Sequence, residues 1–508
     1  MLRVVKTKNG IVRGIEAADP RITAFKGIPF AAPPVGENRW RAPQPCENWE
    51  GELKAYRFAP ISMQDTPGMG DGLYDREWHV DSDIDMSEDC LYLNVWTPAK
   101  TADEKLPVVV WYFGGALQWG YPAEMEFDGE RVARRGVVVV TVNYRLNVFG
   151  FLAHPQLSKE QPDAPTNFGS LDQKAGLDWT IENIAAFGGD PDNITIAGQS
   201  AGGGSVLSQM TCPENKDKIK RAIIQSAMIW DPYTDKGIVA PRTMEEAEKA
   251  GEEYFRILGV KTLEEARTLD AVTLRDAFAT YRNNDISKIM TTVQDNVFCI
   301  GNPIELIMKG ECAHVPVMAG DTTDEFHCFL RAENETDLEE KAKNIFGDNA
   351  ETFLEALKKD GKFNAEAAGE VSGIECTAKA VFSKLAEDKR ENGYYYRFDV
   401  DIPGWDNLGK FHSSELWFFF ETLAKCWRPF TGKHYDIARQ MCNYWCNFIK
   451  TGDPNGKDAD GTDMPVWQPY SKENPKEMVF SLDGPYENER DEASLENFLR
   501  DRCIERFR

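Results

Sequence analysis

Histidine is scarce and positive charge is outnumbered: the 508 residues include six histidines, and 58 Lys plus Arg stand against 83 Asp plus Glu, a net charge of −25. Such a surplus repels a phosphate backbone or an anionic membrane surface, which excludes nucleic acid as a partner. Long apolar runs are also missing, so no segment is expected to insert into a bilayer as a helix. The opening stretch, Met1 to Gly10, alternates like a strand ending in a turn and lacks the apolar core of a signal peptide. Cysteine is present without a pattern. The eleven cysteines are an odd number with no metal-ligand spacing, and Cys442 and Cys446, four apart as on a helix, read as core residues. A reducing, cytoplasmic setting is therefore expected, with no metal and no cofactor. No Pro/Ser-rich linker or low-complexity spacer divides the chain, so a single body over residues 1–508 is expected.

What is present is organised around Gly198-Gln199-Ser200-Ala201-Gly202. The stretch closes the apolar run Ile194-Thr195-Ile196-Ala197 and opens a run of small residues, which reads as strand, sharp turn and helix. A serine on such a turn is lifted out of the strand ladder, and glycines two before and two after leave room for strained backbone and close packing. Ser200 is the candidate nucleophile.

Two nearly continuous apolar runs, Leu106 to Tyr112 and Gly136 to Val142, have the character of central strands buried on both faces. Between them lies Phe113-Gly114-Gly115-Ala116. Leu91, Leu93 and Val95 alternate like a strand, whereas the Pro- and Gly-rich segment Phe25 to Gly36 reads as extended covering structure. Leu177, Ile181, Ile184 and Ala185 fall on one helical face, and Gly188-Gly189 stops that helix. Further runs at Ala222-Ile223-Ile224, Val315 to Ala319, Tyr394 to Phe398 and Glu477 to Ser481 alternate with helical sequence. The pattern is an α/β fold with a doubly wound, mostly parallel sheet. Charged, helix-forming sequence over roughly 243–310 and 331–385 reads as helical insertion, with Val315 to Leu330 returning to the sheet.

A serine hydroxyl needs a neutral imidazole to take its proton and a carboxylate to orient that imidazole. Of His79, His154, His314, His327, His412 and His434, His412 has the most suggestive setting: it follows a Gly/Asp loop after a strand, where a sheet delivers a base to its carboxyl edge. On the residues alone Asp324 and Glu325 stand level as the acid.

Ser87 to Val95 and Gly188 to Gly203 together resemble the two signatures of the type B carboxylesterases, the α/β-hydrolase group that includes the cholinesterases. Phe25 to Gly36, Asn143-Tyr144-Arg145, Asn167 to Gln173 and Trp445 to Asn455 are similar to that family as well, so the resemblance to these esterases, bacterial ones among them, runs nearly end to end. It implies an α/β-hydrolase fold and a Ser200, Glu325, His412 triad acting on a small-molecule ester, since Gly320 to Glu325 is similar to the family's acid loop. It also implies an oxyanion hole from the N–H groups of Gly115, Ala116 and Ala201, although many relatives carry His and Gly where this chain has Phe113 and Ala116. A left-handed backbone at Ala116 would be costly. Gln199 stands where cholinesterases carry glutamate, which disfavours choline esters. Cys90 resembles a disulfide half-cystine of secreted relatives, but its partner's place reads Ile61-Ser62-Met63. Ion pairs Arg39 with Glu88 and Arg145 with Asp172 are implied as loop anchors. Phe113, Trp119, Phe326, Trp417 and Phe418 flank the motifs and are candidates for lining the acyl or alcohol pocket. Two rivals share the fold: a catalytically silent binding module, and a hydrolase of amides or carbamates.

Overall fold

In the computed structural model, which describes residues 1–234, 240–489 and 494–507, the valine-rich runs form the middle of an eleven-stranded sheet. One edge begins with Gly484–Glu489, Lys476–Ser481, Gly393–Asp399, Val317–Thr322 and Arg221–Gln225. The order continues through Gly189–Gln199, Leu106–Tyr112, Val138–Val142, Tyr92–Thr97, Thr23–Pro29 and Ile15–Glu16. From Lys476–Ser481 to Val138–Val142 every neighbouring pair is parallel, and both flanks are antiparallel.

The two-residue period of a strand divides the core between the faces of this sheet. Val109, Trp111, Val139, Ala197, Ile223, Met318 and Tyr396 belong to one apolar cluster. Val108, Val110, Tyr112, Val140, Ile196, Ala222, Val317 and Tyr395 belong to the other. Full burial of a side chain of this size stabilises by about 1.5–3 kcal/mol, so the central strands hold much of the fold's hydrophobic free energy. The register of the strands brings the carboxyl ends of Leu106–Tyr112, Gly189–Gln199, Arg221–Gln225 and Val317–Thr322 side by side. The chain departs to opposite sides of the sheet from Leu106–Tyr112, which neighbours both Val138–Val142 and Gly189–Gln199. A crevice at such a switch point is where an open α/β sheet places its ligands.

Several expectations need correction. Thr23–Pro29 is a strand of the main sheet rather than a cover over it. Tyr92–Thr97 is the strand expected there, and it is buried on both faces from Leu93 to Thr97, because a strand lies on each side of it and apolar layers lie above and below. Only Val317–Thr322 returns to the sheet; His327–Leu330 pairs antiparallel with Ala368–Ser372 in a separate hairpin-like sheet. Gly484–Glu489 adds an antiparallel edge strand that the sequence pattern did not announce.

Helices fill the intervals. Met244–Leu258 is opened by Thr243, whose Oγ1 accepts the Glu246 N–H at 3.3 Å while Glu246 Oε2 accepts the Thr243 N–H at 3.0 Å, a reciprocal cap. Gly373–Glu387 lies against the sheet, with Ala380, Val381 and Phe382 in the same cluster as Tyr395. The charged stretch thus ends in a helix that flanks the sheet. Arg39 grips Glu88 through two contacts of 2.6 Å and donates to the Leu269 carbonyl at 2.7 Å, tying the helices after Thr243 to the N-terminal region. Arg145 holds Asp172 at 2.7 and 2.8 Å with both side chains buried. Both ion pairs stand as the resemblance implied. Among the described residues no helix is long and apolar enough to cross a membrane.

Candidate active site

Ser200 sits between the Gly189–Gln199 strand and the Ala201–Thr211 helix with φ 55° and ψ −126°, a backbone state that costs a serine on the order of 1–3 kcal/mol. The neighbouring glycines are required by close approach. A Cβ on Gly202 would lie 2.0 Å from the Tyr112 carbonyl oxygen, and one on Gly198 would lie 2.3 Å from the Gly202 oxygen. The turn is anchored on its other side by the Ser200 N–H, which donates to the Gln225 carbonyl at 2.9 Å. The helix then starts at Ala201, whose N–H belongs to the first turn and has no intrahelical acceptor.

The Phe113 to Ala116 loop leaves the carboxyl end of the adjacent strand and presses on the same turn. A Cβ on Gly114 would sit 2.8 Å from the Gln199 oxygen and 3.2 Å from Ser200 Cβ. Gly115 has φ 102° and Ala116 φ 55°, so the costly left-handed alanine is present. Among the described residues neither the Gly115 nor the Ala116 N–H donates to a protein acceptor. A side chain at Gly114 would have to displace the Gln199 carbonyl, next to the serine.

Glu325 and His412 are brought together. The imidazole Nδ1–H donates to Glu325 Oε2 at 2.8 Å and Oε1 at 2.9 Å. Thr322 Oγ1 donates to Oε1 at 3.3 Å and the Phe326 N–H to Oε2 at 3.3 Å. Burial opposes ionisation of Glu325, but the His412 charge and these hydrogen bonds hold its pKa below the ordinary value. Burial likewise works against a charged His412, and the Glu325 carboxylate more than offsets it, so the imidazole pKa is raised above 6.5. Asp324 does something else: it is exposed and accepts the Lys410 N–H at 2.8 Å, holding the backbone of the histidine loop.

On the far side of the ring the Gln199 side-chain amide donates to His412 Nε2 at 3.3 Å. No hydrogen bond joins Ser200 Oγ to the imidazole among the described residues; such bonds often tighten only when substrate is bound. The remaining histidines are engaged elsewhere. His327 faces Glu370 at 3.2 Å, His79 faces Glu124 at 3.4 Å, and His154 stacks on Phe255. His314 contacts the Gly310 carbonyl, and His434 caps its helix at Thr431.

The candidate pocket aromatics divide. Phe113 is fully buried and stacked on Tyr144 at 4.3 Å. Trp417 is fully buried and donates to Glu77 at 3.1 Å, and Phe418 is packed on Phe398 at 4.8 Å. All three belong to the large apolar cluster, Phe113 from its loop and Trp417 and Phe418 from the short helix Leu416–Phe419. Phe326, 50% exposed, stands 4.6 Å from the imidazole. Trp119 donates to Asp65 at 2.9 Å, and Arg282 covers its ring at 4.9 Å.

Sequence reasoning missed Tyr74 and Glu415. The Tyr74 hydroxyl reaches the His412 carbonyl at 3.5 Å, and its ring stacks on Trp78 at 5.5 Å. Nothing local in its acidic loop marked it out. Glu415 is completely buried, accepts from Gln225 at 3.4 Å, and is pushed up to about 7 by burial and by the charge of Glu325. Its signal was visible: a lone carboxylate followed by Leu416, Trp417 and Phe418.

The carboxylesterase family model matches residues 2–497. A fumonisin B1 esterase of Sphingopyxis macrogoltabida is 32% identical over 469 residues, covering 88% of this chain and 82% of its own. A para-nitrobenzyl esterase of Bacillus subtilis (strain 168) is 30% identical over 510 residues, covering 96% of both. Among solved structures, a Geobacillus stearothermophilus carboxylesterase superposes with a TM-score of 0.74 at 30% identity, covering 98% of this chain and 99% of that one. With the family matched across nearly its whole length on an α/β-hydrolase sheet, this chain belongs to the carboxylesterase family and is a serine hydrolase of carboxylic esters.

Proposed function

We propose that the enzyme cleaves neutral short-chain or aryl esters through an acyl-enzyme on Ser200, with His412 as base and Glu325 as its orienting acid. The observation that carries this reading is the buried His412–Glu325 hydrogen bond of 2.8 Å, set beside a serine on a strained strand-to-helix turn. Ser200 Oγ attacks the ester carbonyl carbon and passes its proton to His412 Nε2, which the proton on Nδ1 leaves free to accept. The Gln199 contact at 3.3 Å is long and yields that nitrogen to the serine hydroxyl. Negative charge gathers on the carbonyl oxygen in front of the N–H groups of Gly115, Ala116 and Ala201, each such donor being worth about 3 kcal/mol. The imidazolium then protonates the leaving alcohol. Water repeats the sequence on the acyl-enzyme and releases the acid.

The substrate reading rests on the charges nearest the serine. Gln199 supplies no carboxylate for an onium group. Trp119 already carries Arg282 on its ring, and Trp78 is 5% exposed, packed among Tyr74, Phe411 and Trp417. The net charge of −25 acts only over a screening length of about 8–10 Å in physiological salt. A reducing, cytoplasmic setting is part of the same reading, supported by Cys90, whose thiol is fully buried beside Ser62 where a bridge partner would be needed.

Three outcomes are expected. Ser200→Ala should lower kcat for p-nitrophenyl butyrate by at least about a thousandfold with the fold intact, and Glu325→Gln by about 10³–10⁴, while Asp324→Asn stays within about tenfold; a larger loss in Asp324→Asn than in Glu325→Gln would move the acid to Asp324. Because His412 must be neutral to act and its pKa is raised above 6.5, kcat/KM should fall as the pH drops through a single midpoint above that value. Activity that stays flat through that range would remove His412 as the base. Phenyl butyrate should exceed butyrylcholine in kcat/KM, and Gln199→Glu should narrow the gap; a wild-type preference for the choline ester would contradict the substrate reading.

A further inference from the structure

Behind the Phe113 to Ala116 loop lies a pair of acids that ester hydrolysis leaves unused. Glu126 is 0% exposed and Glu124 5%. Among the described residues neither carboxylate oxygen of Glu126 meets a conventional donor. A bare carboxylate is strongly disfavoured in such a place, whereas a carboxylic acid with an acceptor beside it is tolerated. Glu124 is that acceptor: a hydrogen bond between the two carboxyls, together with the charge of Glu124, favours keeping the proton on Glu126. Burial pushes Glu124 up to about 7, and burial together with the Glu124 charge raises Glu126 well above the carboxylate range.

The ionisable groups that face the pair come from three directions. His79 Nε2 lies 3.4 Å from Glu124 Oε1, and burial lowers its pKa, so it is neutral near pH 7. Asp75, in the short helix Leu73–Glu77, adds negative charge around His79, and Asp81 adds it around Tyr121. The phenols of Tyr121 and Tyr144, raised by burial, stay protonated. No positive charge in this set compensates a second carboxylate.

The pair is mechanically joined to the active site. Glu124 Oε1 accepts the Tyr121 N–H at 2.7 Å, and Gly120 is held on both backbone groups by Gln64, at 2.8 and 3.0 Å. A Cβ on Gly120 would sit 2.8 Å from the Gly114 oxygen, and one on Gly115 would sit 2.2 Å from the Trp119 oxygen. Residues 119–121 are the wall against which the loop bearing Gly115 and Ala116 is pressed.

We propose that Glu124 and Glu126 hold one proton between them in the active enzyme, and that losing it at alkaline pH sets two buried carboxylates against each other behind residues 119–121 and so loosens the Gly114–Ala116 loop, switching ester hydrolysis off. The inference rests on the reading of that loop as the oxyanion hole. The sign is fixed by linkage. Both carboxyls keep protons in the folded chain at pH values where the unfolded chain has lost them, so their contribution is favourable at low pH and is lost as pH rises from about 4.5 through about 7 and beyond.

The test is a kcat/KM profile for phenyl butyrate from about pH 6 to 10, with thermal unfolding in the same buffers, for wild type, Glu126→Gln and Glu124→Gln. An amide at position 126 remains a donor to Glu124 at every pH. Wild type is expected to lose at least about fivefold in kcat/KM, reversibly, on the alkaline side, with Tm falling over the same range; Glu126→Gln stays within about threefold of wild type at neutral pH and loses neither quantity. Glu124→Gln should show the same flattening and serves if Glu126→Gln does not fold. An alkaline limb identical in wild type and variants, or none in wild type, would overturn the shared proton. A variant that flattens the Tm profile but keeps the wild-type activity limb would overturn the link to the loop and place the fault in the oxyanion reading. Failure of the serine-esterase reading shows separately, as activity in Ser200→Ala at neutral pH.

Discussion

The turn at Ser200 is the constraint on which the rest of the site depends. A serine at φ 55° is held there because Gly202 rides against the Tyr112 carbonyl, Gly198 rides against Gly202, and the Ser200 N–H is taken by Gln225. Three adjacent parallel strands thereby fix one residue, and a turn with ordinary side chains at 198 and 202 could not close. The strain is stored locally and is offset by the apolar layers on both faces of the sheet. Because the strands are parallel and in register, their carboxyl ends deliver the loop of Gly114, the Glu325 loop and the His412 loop to the same edge.

Electrostatics then sort the acids at that edge. Glu325 is kept ionised against burial by His412, whereas Glu415, just past His412 in sequence, is pushed up to about 7 by burial and by Glu325 itself. One carboxylate is paired with the base and another is held near neutrality in the same buried space. This separation of like groups by environment is what allows a single imidazole to have one defined partner. Asp324, next in sequence to Glu325, escapes the competition by facing outward and securing the histidine loop through Lys410.

Much of the fold was legible because the central strands are continuous apolar runs and strand periodicity is a local property. The proposed nucleophile was legible in the local Gly198-to-Gly202 pattern, although part of what demands those glycines is distant in sequence, the Tyr112 carbonyl of the neighbouring strand. The proposed acid was not: Asp324 and Glu325 differ only in which way each side chain leaves the loop, and that depends on His412, 87 residues beyond Glu325 in sequence. The aromatics were misjudged for a related reason. Phe113, Trp417 and Phe418 flank the motifs in sequence, but the Phe113 loop and the helix Leu416–Phe419 turn these side chains into the core, and of the candidates Phe326 is left exposed against the imidazole. The His327–Leu330 strand and the Glu124–Glu126 pair depend on partners that no local pattern names.

The central claim is that Ser200, and no other nucleophile, carries the acyl group. Reaction with a p-nitrophenyl alkylphosphonate, followed by peptide mapping, measures this directly, because the phosphonyl group stays on the attacking oxygen. The account predicts one phosphonyl group per chain on Ser200, p-nitrophenolate released in equal amount, and esterase activity lost in proportion. Labelling at another residue, or full labelling of Ser200→Ala with the same loss of activity, would contradict it.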